Sequence, residues 1–348
     1  MNKTKIKCVI WDLDNTIWDG KLRNSANIKL KPNIKEIIQH LYENGIIQSI
    51  VSKNYNTVGL SVLEKNKLDK YFVFSQINYL PKSILVKKII NFLNISAETV
   101  IYIDDDIFEL NEVKKEIKNI NIYNADNYLK LLEDKRFNFE IKSIEGNKRT
   151  EYLKTKEKRI IEEEKYVGLR EEFMKNALTT LEILNFQKNF LDRIVELIYR
   201  TNKYNNLEKS DFNSEDILKY MYEKNNNIYV FKMSDIYGEY GIIGTLFFKL
   251  IDRKMFIDIF SISCRILGRG IAIAIFSSVI NKMFMNNQID KVICSVNYNE
   301  KNRESIILLN LLGFELKERK DNIFKFELNN IIDVKNEEYI HIKFRENI

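Results

Sequence analysis

The sequence predicts two domains of different fold classes, a doubly wound α/β domain with a parallel sheet followed by an α+β domain. Up to residue 123, short apolar runs alternate with amphipathic stretches, which is typical of strands that alternate with helices. From residue 181 onward, three strand-like runs precede a long apolar helix, which favours a mainly antiparallel sheet. Between these parts, 15 of the 26 residues at 147–172 are charged, so this segment cannot form a core of its own.

We place the domain boundaries so that 1–146 is the first domain, 147–180 a charged helical linker and 181–348 the second domain. The linker carries both signs of charge at helical spacing, as expected of a solvated helix that separates two domains. An electrostatic docking surface for a partner is the alternative interpretation. A chain of 348 residues is long for one hydrophobic core and sufficient for two.

Each element is predicted from its hydrophobic period and its end signals. The first domain is expected to contain strands at 8–11, 46–51, 71–74, 100–103 and 120–123, and helices at 33–44, 56–66, 81–93 and 108–118. The second is expected to contain strands at 228–233, 241–250, 255–264, 291–296 and 323–328, and helices at 192–199, 215–222, 271–285 and 303–312.

The composition excludes several classes of function. The 55 basic and 49 acidic residues are interspersed, so no extended basic face is available for a nucleic-acid duplex. No uncharged run of 18 residues is present, so we expect no membrane span. Three cysteines without paired spacing argue against disulfides and a zinc cluster, and they fit a cytoplasmic protein.

Two carboxylates follow the first predicted strand. Asp12 and Asp14 come directly after the apolar run 8–11, and in an open α/β sheet ligands bind beyond the carboxyl ends of the strands. Side chains two residues apart share one face of an extended chain. A strand-ending turn with helix-capping acids is the structural alternative, and by themselves the two acids do not decide between them.

The other strand ends supply complementary chemistry. Ser52 and Lys53 follow the second strand and offer polar groups for phosphate oxygens, and Lys82 at the start of a helix is a point charge for a phosphate. Asp104 and Asp105 close the fourth strand with oxygen ligands of the kind that Mg²⁺ prefers. The strand ends together predict a phosphoryl-transfer site.

These motifs, in this order, resemble the haloacid dehalogenase superfamily. The resemblance implies that Asp12 attacks phosphorus and forms an aspartyl-phosphate, and that Asp14 acts as acid and then as base. It further implies that the phosphoryl group is held by Thr16, Ser52, Lys53 and Lys82, and Mg²⁺ by Asp12, Asp14 through its carbonyl, Asp104 and Asp105. No long insertion follows Asp14 or the second strand, so we expect an open site that suits a bulky or protein-bound substrate.

A glycine-bearing turn marks the second domain. Arg265, Gly268, Arg269 and Gly270 stand between a strand and a long apolar helix, and they fit the R-x-x-G-x-G pattern of the acetyltransferase-like GNAT fold. This similarity implies that backbone N–H groups cradle the pyrophosphate of coenzyme A or the phosphate of a phosphopantetheine arm. A turn that needs glycine only for its conformation is the alternative.

Other polar residues of the second domain are candidates for acyl or carrier binding. Arg200, Asn202 and Asn205 offer a guanidinium and amides for an oxygen-rich acyl group, or they form an ordinary polar helix end. Asn297, Asn302 and Arg303 lie where such domains bind the carrier arm. Cys264 precedes Arg265, so it is a candidate nucleophile, although a buried structural cysteine is the commoner case.

The joined pair of domains is similar to the FkbH-like proteins of polyketide pathways. The similarity rests on the runs 8–20, 52–54, 81–83 and 102–105, and on 200–205 and 263–265 of the second domain. It implies that the glyceryl group of 1,3-bisphosphoglycerate moves to the phosphopantetheine thiol of an acyl carrier protein, with loss of phosphate. Leu13 stands where some members have a cysteine. The thiol that a thioester on the first domain would need is therefore missing at this position.

Two alternatives remain open at this stage. The chain is a magnesium-dependent phosphatase whose second domain only binds a carrier or partner, or it is an assembly module that has lost catalysis. The intact carboxylates argue against the second of these.

Overall fold

The computed structural model describes residues 4–22, 28–137, 146–201, 203–207, 213–333 and 339–345. The chain forms two compact units, Met1–Glu157 and Lys158–Ile348. Among the described residues, none of the helices combines the length and the apolar character that a membrane span requires.

The first unit is built on a five-stranded parallel sheet in the order β5-β4-β1-β6-β7. Its elements are β1 (Cys8–Trp11), β2 (Trp18–Asp19), β3 (Lys29–Leu30), α1 (Ile34–Glu43), β4 (Ile47–Ser52), α2 (Asn56–Lys65), β5 (Gln76–Ile77), α3 (Lys82–Leu93), β6 (Val100–Asp104), α4 (Ile107–Glu116) and β7 (Asn121–Asn124). β1, β4 and β6 are buried at every residue, because helices cover both faces of a parallel sheet. The predicted doubly wound α/β class is confirmed.

One predicted strand of the first unit is wrong. The expected strand at 71–74 is replaced by a 3₁₀ turn at Asp69–Tyr71 and by the later strand β5. Phe72 forms a single bridge to Gln48, and Phe74 adopts a left-handed backbone with φ 49°. A left-handed residue ends an extended run, so the apolar pattern of this segment reflects burial and not strand pairing.

The second unit contains a nine-stranded, mainly antiparallel sheet. Its elements are α6 (Arg170–Asn176), β8 (Thr179–Asn185), α7 (Leu191–Arg200), β9 (Tyr204–Asn205), α8 (Ser214–Tyr222), β10 (Asn226–Asp235), β11 (Gly238–Ile251), β12 (Lys254–Ile262), α9 (Ile271–Met285), β13 (Lys291–Asn297), α10 (Arg303–Leu311), β14 (Glu315–Lys320), β15 (Ile323–Leu328) and β16 (Ile340–Arg345). The main order is β14-β15-β13-β12-β11-β10-β8-β16, with β9 beside β12. Among the described strand pairs of this sheet, only β12–β13 and β16–β8 are parallel. The mainly antiparallel pairing confirms the predicted α+β class.

Helices cover both faces of this sheet. Buried residues of α9 and α10 pack on one face, and buried residues of α7 and α8 pack on the other. α9 is apolar around most of its circumference and buries nine residues, which explains why its sequence lacks a polar face. The predicted bounds of α9 are the observed ones.

The charged segment between the two sheets is largely helical. Helix α5 (Gly146–Lys165) contains the division between the two units. Within the first unit, Leu153 is buried and Glu157 accepts a hydrogen bond from the backbone N–H of Phe74 at 2.9 Å. Within the second unit, Arg170 donates to the carbonyl of Gly268 at 2.9 Å. The three-part domain division stays a prediction.

Candidate functional site

Asp12 and Asp104 lie side by side at the carboxyl ends of β1 and β6. The two strands are parallel with Trp11 opposite Ile103, and the N–H of Asp12 donates to the carbonyl of Ile103 at 2.9 Å. Lys82, the first residue of α3, donates to Asp12 Oδ1 at 2.8 Å and to Asp104 Oδ2 at 2.6 Å. Three residues from distant parts of the sequence thus form one buried charged cluster.

Asp105 completes a group of carboxylates that suits a divalent cation. One carboxylate oxygen each of Asp12, Asp104 and Asp105 lies within 4.8 Å of the other two. Hard oxygen donors at the mouth of a buried site match the requirements of Mg²⁺. Asn15 donates to Asp105 at 3.1 Å. Asp106 instead caps α4 by accepting from the N–H of Phe108, so it is a structural residue at the edge of the site.

Burial and the neighbouring charges set the protonation of this cluster. Burial raises the pKa of Asp12 to about 7, because the opposing effect of Lys82 does not cancel desolvation and the repulsion of Asp104. Burial lowers the pKa of Lys82, but the two carboxylates raise it by more, so it stays above its ordinary value. Burial, followed by the charge of Asp104, raises the pKa of Tyr102 well above its ordinary range. Without a bound cation, the Lys82 ammonium therefore stays charged, and Asp12 gains or loses its proton near pH 7.

Asp14 is held by donors that the sequence analysis missed. Trp18 Nε1 donates to Asp14 Oδ1 at 2.9 Å, Asn54 Nδ2 donates to Oδ2 at 3.1 Å, and the N–H of Leu22 donates to Oδ1 at 3.3 Å. Asn54 belongs to the polar run that follows β4, and this position in the sequence is the feature that could have identified it as a site residue. Three donors fix the orientation of the carboxylate beside the cluster.

Two buried hydroxyls belong to the segments at the carboxyl ends of β1 and β4. Thr16 Oγ1 is buried and has no hydrogen-bond partner, which is unusual for a buried polar atom and fits a group that awaits a ligand. Ser52 is buried, and its Oγ accepts from Asn54 at 3.0 Å. Lys53 is placed differently, since its side chain pairs with Glu109 and is 39% exposed. Its predicted role toward phosphate stays a prediction.

The glycine turn of the second unit ends at the N-terminus of α9. Gly268 and Gly270 have φ values of 74° and 71°, which favour glycine, and α9 begins without a side-chain cap. Arg269 is buried and pairs with Asp235 at 2.8 Å. Arg265 donates to Ser263 Oγ and to the carbonyl of Ile242, both at 3.2 Å. Both arginine side chains thus make bonds within the unit, so the backbone of the turn is the better candidate for an anion.

Residues 203–207 fill the place where β12 and β13 diverge. These strands pair only between Lys254–Ile257 and Lys291–Cys294. Beyond that, the Asn206 side chain donates to the carbonyls of Asp258 and Ser295 at 2.9 and 3.0 Å and accepts from the N–H of Phe260 at 2.7 Å. Asn206 is 2% exposed and bridges the two strands, a role that the sequence analysis missed.

Of the asparagines predicted to bind the acyl group or the carrier arm, Asn205 and Asn302 belong to the same buried network. Asn205 Nδ2 donates to the carbonyl of Ile198 at 2.8 Å. Asn302 Nδ2 donates to the carbonyls of Asn205 and Asn297 at 3.1 and 2.8 Å, which ties these two residues together. Asn202 lies outside the described residues.

The remaining candidates of the second unit are spread along its elements. Arg200 ends α7 and pairs with Glu196 at 3.4 Å, and Arg303 is an exposed residue at the start of α10. Cys264 follows β12 and is half-buried, whereas Cys8 and Cys294 are fully buried. Burial raises the pKa of both buried thiols, so Cys264 is the accessible thiol of the three.

Residues 20–122 match the family model of haloacid dehalogenase-like hydrolases. Lys82 and Asp104 lie within the match, and Asp12 and Asp14 precede it. The comparison with curated proteins found no match.

Three solved structures illustrate the similarity of the parts. The N-terminal part of a Bacteroides fragilis protein, which contains a phosphatase domain and is complexed with Mg, is 26% identical with a TM-score of 0.35; the match covers 38% of this chain and 40% of that chain. Spermidine N-acetyltransferase from Vibrio cholerae, in complex with CoA and spermine, is 15% identical with a TM-score of 0.34, over 42% of this chain and 94% of that one. The ribosomal-protein-S18-alanine N-acetyltransferase from Escherichia coli is 10% identical with a TM-score of 0.34, over 45% and 97%.

The family match falls within the unit that carries the carboxylates, and the parallel sheet and the lysine–carboxylate cluster belong to the same unit. The first unit therefore contains a haloacid dehalogenase-like hydrolase domain.

Proposed function

We propose that this protein transfers the glyceryl group of 1,3-bisphosphoglycerate to the phosphopantetheine thiol of an acyl carrier protein in polyketide-type biosynthesis, and removes the phosphate. The observation that carries the proposal is the buried cluster of Asp12, Lys82 and Asp104, with Asp105 beside it. Such a cluster suits the binding of phosphate, and the uncapped helix start after the glycine turn supports the binding of a carrier arm by the second unit. The three free cysteines suit the reducing cytosol that we propose as its location.

The first unit would remove the phosphate ester in two steps. The Asp12 carboxylate attacks phosphorus, the bond between phosphorus and the ester oxygen breaks, and Asp14 gives that oxygen a proton. Water then attacks the aspartyl-phosphate, Asp14 takes the proton of the water, and inorganic phosphate leaves. Lys82 and the hydroxyls of Thr16 and Ser52 hold the phosphoryl oxygens.

The donor set fits Mg²⁺, since Asp12, Asp104 and Asp105 bring three carboxylate oxygens together. They would hold the ion with the backbone carbonyl of Asp14. Bound there, Mg²⁺ would offset negative charge on the phosphoryl oxygens.

The second unit would seat the carrier arm and let its thiol attack the acyl carbonyl. The bond from this carbonyl carbon to the phosphate oxygen breaks, a thioester forms, and the phosphate leaves as inorganic phosphate with the proton that the thiol gives up. The uncapped N-terminus of α9 and the positive φ of Gly268 and Gly270 support binding of the phosphate of a phosphopantetheine arm, or of coenzyme A.

One observation favours a second candidate function. The side chains of Arg265, Arg269 and Asn205 make bonds within their own unit, so they are poorly placed to hold an acyl group. In this alternative the protein is a magnesium-dependent phosphatase whose second domain only binds a carrier or partner.

Mass spectrometry of a phosphopantetheine-bearing carrier protein separates the two functions. The carrier is incubated with enzyme, Mg²⁺ and 1,3-bisphosphoglycerate, and we expect a glyceryl thioester on the carrier. Asp12→Asn should leave a thioester that is heavier by one phosphate, because the amide cannot attack phosphorus. Asp19→Asn is the matched control, since this exposed acid lies in the same segment. A carrier that stays unloaded while phosphate is released favours the plain phosphatase.

A further inference from the structure

Tyr102 lies directly beneath one of the two central carboxylates. It precedes Asp104 by two residues on β6, so both side chains leave the strand on the same face. Both residues are 0% exposed, and the Tyr102 hydroxyl donates to Asp104 Oδ2. A hydroxyl in a core costs free energy unless it is bonded, so this bond is a specific feature of the site.

The two central carboxylates are supported unequally. Asp104 Oδ2 accepts from Lys82 at 2.6 Å and from Tyr102, and its Oδ1 accepts from the N–H of Asp106 at 3.0 Å. Asp12 Oδ1 accepts from Lys82 at 2.8 Å, and the Asp12 carboxylate also accepts from the backbone N–H of Leu13. The residue opposite Tyr102 on β1 is Ile10, which offers no donor beneath Asp12. The sheet therefore gives a hydroxyl to one carboxylate and an apolar side chain to the other.

We infer that Tyr102 is a positioning residue that fixes Asp104 as a metal ligand. The inference rests on the proposed metal-dependent phosphatase activity and deepens it. A carboxylate with donors on both oxygens is held in one orientation, so less entropy is lost when a cation binds. Partners behind metal ligands orient them in this way, and their loss typically weakens metal binding by about 10- to 100-fold.

The test is Tyr102→Phe in the full-length chain, with Mg²⁺ affinity measured directly by calorimetry. We expect the dissociation constant to rise by about tenfold. The turnover number at saturating Mg²⁺ should stay near that of the wild type. A structural defect would not produce this split between metal affinity and turnover. Tyr128→Phe is the matched control, because the Tyr128 side chain is also buried in the first unit and its hydroxyl donates to the carbonyl of Pro32 at 2.7 Å.

A second measurement uses the stabilisation that Mg²⁺ confers. Trp11 and Trp18 are the two tryptophans of the chain, so their fluorescence follows unfolding of the first unit alone. At saturating Mg²⁺, a tenfold weaker affinity reduces the added stability by about 1.4 kcal/mol. This comparison is made within each variant, so it is independent of any general destabilisation by Tyr102→Phe.

The outcomes distinguish this inference from the proposed function. If Asp104→Ala abolishes Mg²⁺ binding and Tyr102→Phe leaves the Mg²⁺ affinity unchanged, the proposed metal site stands and the role of Tyr102 is overturned. A wild-type protein that binds no Mg²⁺ would overturn the metal site and this inference with it. Reduced turnover with unchanged Mg²⁺ affinity in Tyr102→Phe would also overturn the positioning role.

Discussion

The Lys82 ammonium lies 2.8 Å from the Asp12 carboxylate, and both side chains are almost completely buried. The same ammonium reaches Asp104, so one positive charge serves two acids inside the first unit. Removing one partner from a buried ion pair leaves an uncompensated charge, which costs more than the intact pair contributes. Lys82 therefore supports the fold of the site as well as its chemistry.

Lys82→Met should destabilise the first unit by about 3–5 kcal/mol, and it should abolish hydrolysis of the phosphate ester by that unit. Added Mg²⁺ should restore part of the lost stability, because a cation can offset the same two carboxylates. Unfolding in urea followed by tryptophan fluorescence measures the first effect. Lys87→Met is the control, since Lys87 lies on the same helix in an exposed pair with Glu116, and its loss should cost less than about 1 kcal/mol. Equal effects of the two substitutions would contradict the ion-pair argument.

Asp12 should make the stability of the metal-free first unit depend on pH. Its pKa is about 7 in the folded protein, above its ordinary value of 3.8, so the folded state binds this proton more tightly than the unfolded state. The free energy of unfolding should therefore fall as pH rises from 3.8 to about 7. Unfolding curves in EDTA across this range test the slope.

Asp12→Asn is the comparison for that slope, because the amide does not titrate. Other buried acids contribute in both proteins, so the difference between the two slopes reports on Asp12. Saturating Mg²⁺ should flatten the slope of the wild type, since a cation favours the charged carboxylate. Identical slopes for the two proteins in EDTA would show that the pKa of Asp12 is ordinary.

The meeting of Asp12, Lys82 and Asp104 could be predicted because parallel strands end at one edge of a sheet. The hydrogen bonds around these residues could not be predicted in the same way. Asn54 reaches Asp14 across 40 residues of sequence, and no local pattern encodes that contact. Tyr102 looked like one more apolar residue of a buried strand, since its hydroxyl matters only through the position of Asp104.

The second unit shows two further limits of local patterns. Arg269 stands beside the glycine turn, yet its side chain pairs with Asp235 from a different strand. β14 was missed because its six residues are all exposed and show no apolar alternation. It forms as an edge strand through its backbone pairing with β15, so tertiary contacts and not hydrophobic period decide its structure.

The first unit should need residues beyond 147 for its stability. Within this unit, Lys154 donates to the carbonyl of Asp69 at 3.0 Å, and Glu157 accepts from the N–H of Phe74 at 2.9 Å. A chain that ends at Glu157 should therefore release phosphate and unfold cooperatively by tryptophan fluorescence. A chain that ends at Asn147 should be less stable by about 1–3 kcal/mol, because it loses these two hydrogen bonds. Equal stability of the two chains would contradict a structural role for this part of α5.

Cys264 should be the reactive thiol of the folded protein. Cys8 and Cys294 are 0% exposed and Cys264 is half-buried. Iodoacetamide should label one site in the native protein and three after denaturation, and peptide mapping should place the native label on Cys264. Labelling of Cys8 or Cys294 at a comparable rate would mean that local opening, and not burial, controls access.

An accessible thiol beside the glycine turn also predicts a test of how the acyl group travels. In a relay, the Cys264 sulfur attacks the acyl carbonyl, phosphate leaves, and the carrier thiol then displaces Cys264 from the thioester. The relay predicts a glyceryl adduct on Cys264 when the carrier is absent. Cys264→Ser should then lose carrier loading and keep phosphate release by the first unit, because serine is nearly isosteric and far less nucleophilic at neutral pH. Cys294→Ser is the control for a thiol in the same unit. If Cys264→Ser loads the carrier at the wild-type rate, the carrier thiol attacks the acyl phosphate directly, and the accessibility of Cys264 has no part in the transfer.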